Sequence, residues 1–287
     1  MLKRKKIVLK KRSLVRKIKD EMATSTEKAF IDHLEELRLV IIKSVAVFLI
    51  LTALGFMLAP SIIRWLVYPL QHVLAAVGST ISPESILRTL RPTGGFLVGL
   101  KAAFLFGIEL SLPVILYFFG SFLIPGLTKK ERKVIIPAFS ASFFLFCIGA
   151  AFCYFVILPF ALKFFWGYTE RLGIRNEWII ENYVSFVVQF LVAFGLVFEI
   201  PCIVLALVKV GVLSHAVLRK SRKYAIVGVF VLAAAITPTP DIITQIVVAL
   251  PMYLLFEFCV WTAKIFERKK TVKDDENTEF GDKDLMG

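Results

Sequence analysis

"FIDHLEELR", Phe30 to Arg38, sets Asp32, His33, Glu35, Glu36 and Arg38 almost side by side, and from Leu39 to Leu58 the chain is then nearly all apolar. About 20 apolar residues are what a helix needs to cross a hydrocarbon layer of roughly 30 Å. Comparable runs recur along the 287 residues, which are 57% hydrophobic with 27 Phe and a mean hydropathy of +0.76. A soluble domain with one core is far less apolar, so the chain reads as an all-α, polytopic integral membrane protein.

The windows place six transmembrane helices at residues 39–59, 96–123, 135–158, 183–208, 224–237 and 242–262. The fifth and sixth are expected to be short; a helix of about 14 residues covers only about 21 Å. That mismatch calls for local thinning of the bilayer or cover by a partner helix. Orientation follows the basic residues. The net charge of +13 is concentrated at the N-terminus, at Lys129, Lys130, Arg132 and Lys133, and at Arg219, Lys220, Arg222 and Lys223. Those segments belong on the cytoplasmic side, with both termini inside. The loops at 60–95 and 159–182 and the "TPTPD" turn fall on the opposite side. In the first of these, "IIRWLVYPLQHVL" carries Trp65 and Tyr68 at belt positions and reads as an interfacial helix ending near Pro69.

The chain thus divides into a basic arm (1–24), a membrane domain (25–266) and a charged tail (267–287) whose composition suggests disorder. No cleavable targeting segment is evident in the arm, which would be drawn to anionic headgroups or simply enforce orientation. Cys147, Cys153, Cys202 and Cys259 lie in apolar segments without CxxC spacing and read as small hydrophobes. There is no internal repeat of the kind that builds many transporters.

"TSTE", Thr24 to Glu27, fits a capping box, so a helix starting near Thr24 would carry Asp32, His33 and Glu36 on one face into the first span. Glu131 stands alone among Lys129, Lys130, Arg132 and Lys133, on the same side of the membrane as Glu36. Two carboxylates on one membrane face suit a dibasic ligand, because an arginine fork engages a carboxylate through two parallel hydrogen bonds. Either group could equally do no more than neutralise its basic neighbours. Glu199 lies within the fourth span and Glu109 within the second, where a charge costs at least a few kcal/mol unless paired, protonated or facing water. Lys101 is about 12 Å along the helix from Glu109, so it needs another partner. "TPTPDIITQ" gathers Thr237, Asp241, Thr244 and Gln245 between the last two helices, where they could bind a polar residue of another helix or merely form a turn. No phosphate loop, GxSxG elbow or HExxH is present, and His33, His72 and His215 are all interfacial or in loops. An intramembrane protease, and an ATP-driven pump acting alone, do not fit.

"FIDHLEELR", "YPL", "LPVILYFFGSFLIPGLTKKERK", "FVVQFLVAFGLVFEIP" and "ITPTPDIITQIVVALPMYLLFE" together resemble the TatC family, the polytopic subunit of the twin-arginine protein translocase. The resemblance runs from about Phe30 to Phe266. It implies a glove-shaped, concave six-helix fold and a non-enzymatic receptor for twin-arginine signal peptides, in a translocase that exports folded proteins on the protonmotive force. It further implies a protein that works without metal, cofactor or nucleic acid; the multi-pass topology, with no transit peptide evident, suits a prokaryotic plasma membrane more readily than an organelle. Glu36 and Glu131 match the carboxylates that engage the paired arginines, with His33, Arg38 and Arg132 shaping the site. Glu199 matches the family's intramembrane Glu. Thr237, Asp241 and Gln245 fall where single-span partners of the TatA and TatB type dock, and self-association in a receptor complex is expected. The chain departs from the pattern at Val40, where a second basic residue is common, in one extra residue of the "TPTPD" turn, in a longer arm whose "KKRSLVRK" loosely resembles a signal's basic motif, and at Glu109, which has no counterpart. The competing reading is a proton-coupled secondary transporter for a small cationic solute, relayed by Glu109 and Glu199. A scaffold would tolerate neutralisation of all four carboxylates.

Overall fold

The computed structural model describes residues 31, 33–79, 81–123, 128–237 and 242–283. Both the capping box at Thr24 and the "PTPD" part of the turn lie outside them. The chain forms two compact units, residues 1–46 and 47–287.

Helix α1, His33–Met57, is the first of five helices among the described residues that are long and apolar enough to cross a membrane; the others are Gly94–Phe122, Ile136–Arg171, Ile180–Val210 and Ile242–Glu267. In the first unit the α1 side chains Leu34, Leu39, Ile41, Ile42 and Val45 are all exposed, as lipid-facing residues would be. Within that stretch the Ser44 hydroxyl donates back to the Val40 carbonyl, 2.8 Å away.

In the second unit, α2 (Ala59–Ala76) is followed by the short α3 (Pro83–Ile86), β1 (Leu87–Arg88) and α4 (Gly94–Leu123). The helix through "IIRWLVYPLQHVL" does not end near Pro69. It continues to Ala76 because Leu66, Pro69, Leu70, Val73 and Leu74 form one buried stripe. Proline removes the N–H that the carbonyl four residues earlier would accept. That carbonyl belongs to Trp65, and the Tyr154 hydroxyl donates to it at 2.7 Å, while Tyr183 donates to the next carbonyl, Leu66, at 2.8 Å. Two tyrosines from distant segments thereby stabilise a proline-containing helix.

α5 (Lys129–Phe152) runs through a π-helical turn, Cys153–Ile157, into α6 (Leu158–Arg171). The outer loop expected at 159–182 is therefore mostly helix. Pro159 has no N–H for the preceding turn, and a wide turn absorbs that loss without breaking the rod. α6 continues because Leu158, Ala161, Leu162 and Trp166 are buried, packed in the same core as Leu66 and Leu70 of α2. β2 (Trp178–Ile179) then pairs in parallel with β1, Leu87 opposite Trp178.

α7 (Ile180–Val210) is the central element, with Val184, Val187, Phe190, Leu191 and Phe194 almost fully buried. It ends at Gly211, whose φ of 93° belongs to the left-handed region that glycine adopts without penalty. Ser214 caps α8 (His215–Lys220), and α9 (Arg222–Ile236) follows. At 15 residues α9 covers about 22 Å, short of a bilayer's hydrocarbon layer. The last helix is not short: α10 runs from Ile242 to Lys283, with an apolar part of 26 residues, and carries helix into the segment whose composition suggests disorder.

Candidate functional site

At the head of α1, Glu36 is 59% exposed, and its ion-pair neighbour is His33, one turn earlier, with Nδ1 3.6 Å from the carboxylate. Glu35 and Arg38 are exposed as well. Glu131 occupies the first turn of α5, and Arg132 beside it is exposed, its N–H bonded to the Thr128 carbonyl at 2.9 Å. The Glu131 side chain and Asp241 lie outside the described positions.

Glu199 is buried on α7, and one carboxylate oxygen accepts from the Ser142 hydroxyl of α5; the other has no partner among the described residues. One further bond crosses the same seam, from Cys202 Sγ to the Ala138 carbonyl. The two helices approach closely because Gly149 and Gly195 face Phe198 and Phe146 where any side chain would collide. Ser142 was not singled out by sequence; a hydroxyl in an apolar helix carries too weak a signal by itself.

Lys101 is not the partner of Glu109. Its ammonium donates to Ser185 and, at 3.1 Å, to the Glu181 carbonyl in the first turns of α7. Thr89 donates to Glu181 Oε1 at 2.8 Å. A polar cluster thus joins the start of α4 to the start of α7, beside the β1–β2 pair. Glu109 Oε1 is buried with no hydrogen-bond partner among the described residues, beside a cavity of about 570 Å³.

Between α9 and α10, Thr237 is buried and bonded to the Ala233 carbonyl at 2.9 Å, and Gln245 donates to the Phe230 carbonyl at 3.0 Å. Both groups are used inside the α9–α10 hairpin: Thr237 bonds back to the last turn of α9, and Gln245 links α10 to α9. A second link there was missed from sequence: Arg222 Nη2 lies 2.7 Å from Glu257 Oε2, and Tyr253 donates to Glu257 Oε1 at 2.8 Å. The isolated Glu in "YLLFE" carried the same signal as Glu199, an acid inside an apolar run, and Arg222 was counted only as a loop charge.

The family model for the Sec-independent protein translocase protein TatC matches residues 32–251. The chain belongs to the TatC family. A TatC from Akkermansia muciniphila is 42% identical over 191 residues, which are 67% of this chain but 55% of that protein. A TatC from Desulforapulum autotrophicum is 35% identical over 91% of this chain and 94% of its own length. A crystal structure described as the twin arginine translocase receptor TatC superimposes with a TM-score of 0.69 at 37% identity, covering 81% of this chain and 98% of that one. Membership of the TatC family, together with the five apolar helices, makes this a multi-pass membrane component of a Sec-independent protein translocase.

Proposed function

We propose that this TatC-family chain is the receptor for twin-arginine signal peptides and the core subunit of a translocase that exports folded proteins, driven by the protonmotive force. The observation that carries the reading is the exposed Glu36 carboxylate, held with His33 at the point where α1 becomes apolar. Glu131, at the start of α5 in a basic segment, is the second carboxylate for the arginine pair. His33, Arg38 and Arg132 border the site. Basic residues around both carboxylates favour a cytoplasmic position in a prokaryotic plasma membrane, with both termini inside and α9 as a short sixth crossing. Thr237, Asp241 and Gln245 offer docking positions for single-span TatA- and TatB-type subunits, and copies of the chain associate in the receptor complex.

The test is binding of a synthetic signal peptide bearing Arg-Arg, and of its Lys-Lys counterpart, to the purified protein and to Glu36→Gln and Glu131→Gln variants. Hydrogen bonds to charged groups contribute about 1.5–3 kcal/mol, so each variant should bind at least about tenfold more weakly. Lys-Lys should bind more weakly still, lacking the planar fork. Equal binding in every combination would remove the receptor reading and move the weight to Glu109, Glu199 and solute transport.

A further inference from the structure

We propose that the cavity beside Glu109 is a binding site for a protonated organic amine with an apolar body, reached from within the bilayer. The cavity, about 570 Å³, lies between the α1–α2 junction, α4 and α5, a size at which pockets enclose drug-sized molecules. Trp65, Phe106, Tyr154 and Phe155 supply aromatic walls. At its edge Leu58, Leu110 and Phe155 are exposed, so the opening faces the lipid-contacting surface of the helices.

Within this apolar lining, Glu109 Oε1 is buried and has no donor among the described residues. Pro113, four residues on, has no N–H to give the Glu109 main-chain carbonyl, so acceptor capacity is concentrated at one level of α4. The Tyr154 hydroxyl is already committed, donating to the Trp65 carbonyl, while Ser61 accepts from Arg64.

Depth selects the class of ligand. Glu109 is roughly 20 Å from either end of α4, near mid-membrane, where the headgroup of an ordinary lipid does not reach. An amine cation on an apolar body can reach that depth. Its N–H completes the carboxylate, and its charge is stabilised over aromatic faces.

Cys147 lines the same cavity and is exposed, whereas the half-buried Cys202 lies outside it, so thiol alkylation provides an internal comparison. The protein in lipid nanodiscs is treated with N-ethylmaleimide in the presence of dodecylamine, dodecyltrimethylammonium or dodecanol, and modification at each cysteine is followed by mass spectrometry. At an amine concentration about four times its Kd, alkylation of Cys147 should slow about fivefold with Cys202 unaffected. The quaternary analogue, which has charge without N–H, and the neutral alcohol should protect less than about twofold, and Glu109→Gln should abolish the amine's advantage. Absence of protection by dodecylamine overturns the proposal, as does equal protection by dodecanol. The comparison of three headgroups on one tail is made on the unmodified protein and so decides the matter even if the Gln variant folds poorly.

Discussion

Gly149 on α5 offers a test of how closely α5 and α7 are required to approach. A Cβ added there would stand 2.7 Å from Cβ and Cγ of Phe198 and 2.8 Å from the Phe194 carbonyl oxygen. Carbon atoms in good contact sit about 3.5–4.0 Å apart, so the overlap is about 0.8 Å or more. Two of the obstructing atoms, Phe198 Cβ and Phe194 O, are fixed by the backbone, and no rotamer change relieves them. The helices must separate, pulling on the Ser142–Glu199 and Cys202–Ala138 bonds in the same seam. Overpacking of this kind costs about 1–3 kcal/mol, offset by the roughly 1 kcal/mol that alanine gains over glycine inside a helix. Gly149→Ala should therefore be destabilised by up to about 2 kcal/mol, lowering Tm by several degrees at about 2–4 °C per kcal/mol. Gly228 on α9 has nothing within 4 Å of an added Cβ, so Gly228→Ala should be neutral or gain up to about 1 kcal/mol. Thermal unfolding in detergent, followed by a thiol-reactive dye reporting the buried Cys153 and Cys259, measures both. If Gly149→Ala proves as stable as Gly228→Ala, glycine is not what sets the spacing of this seam.

Ser142→Ala should leave both Glu199 oxygens without a donor from the described residues and destabilise by about 1–3 kcal/mol, with Ser142→Thr retaining most of the stability; the same unfolding assay checks it. Arg222 and Glu257 are 42% and 30% exposed, so solvent screening limits their pair to about 1 kcal/mol or less. Arg222→Ala and Glu257→Ala should each lower stability slightly, and the double variant should lose no more than the worse single one, a coupling that a double-mutant cycle reads directly.

The apolar runs, the central fourth span and the cluster at the head of α1 were legible in sequence because hydrophobic length and charge are local properties. The extents of α2 and α6 were not. Pro69 and Pro159 look like stop signals in a linear reading, yet each is tolerated for a reason only three dimensions supply: a tyrosine hydroxyl from a distant segment at the Trp65 carbonyl, and a π turn ahead of Pro159. Sequence pairing arguments failed in the same way. Lys101 was correctly denied to Glu109 on distance along one helix, but its actual partners lie about eighty positions away, on α7.

Hydrogen-bond partners also separate the polar residues of the spans by role. A polar group held in lipid costs several kcal/mol unless it is satisfied, so a satisfied group is explained by the scaffold itself. Lys101, Thr89 and Ser185 tie α4 to α7 around Glu181, and Ser142 ties α5 to Glu199 on α7; each acid has one oxygen engaged. Gln245 and Thr237 bond within the α9–α10 hairpin. Glu109 differs from these acids in lying beside a cavity with no bond from a neighbouring helix among the described residues, and Glu36 differs in facing solvent, its ion-pair neighbour among the described residues being a histidine one turn away. Removing an acid of the first group should therefore act mainly on stability, because it breaks contacts between helices. Removing Glu36 or Glu109 should act mainly on what binds there, because the fold has committed neither carboxylate to holding its helices together.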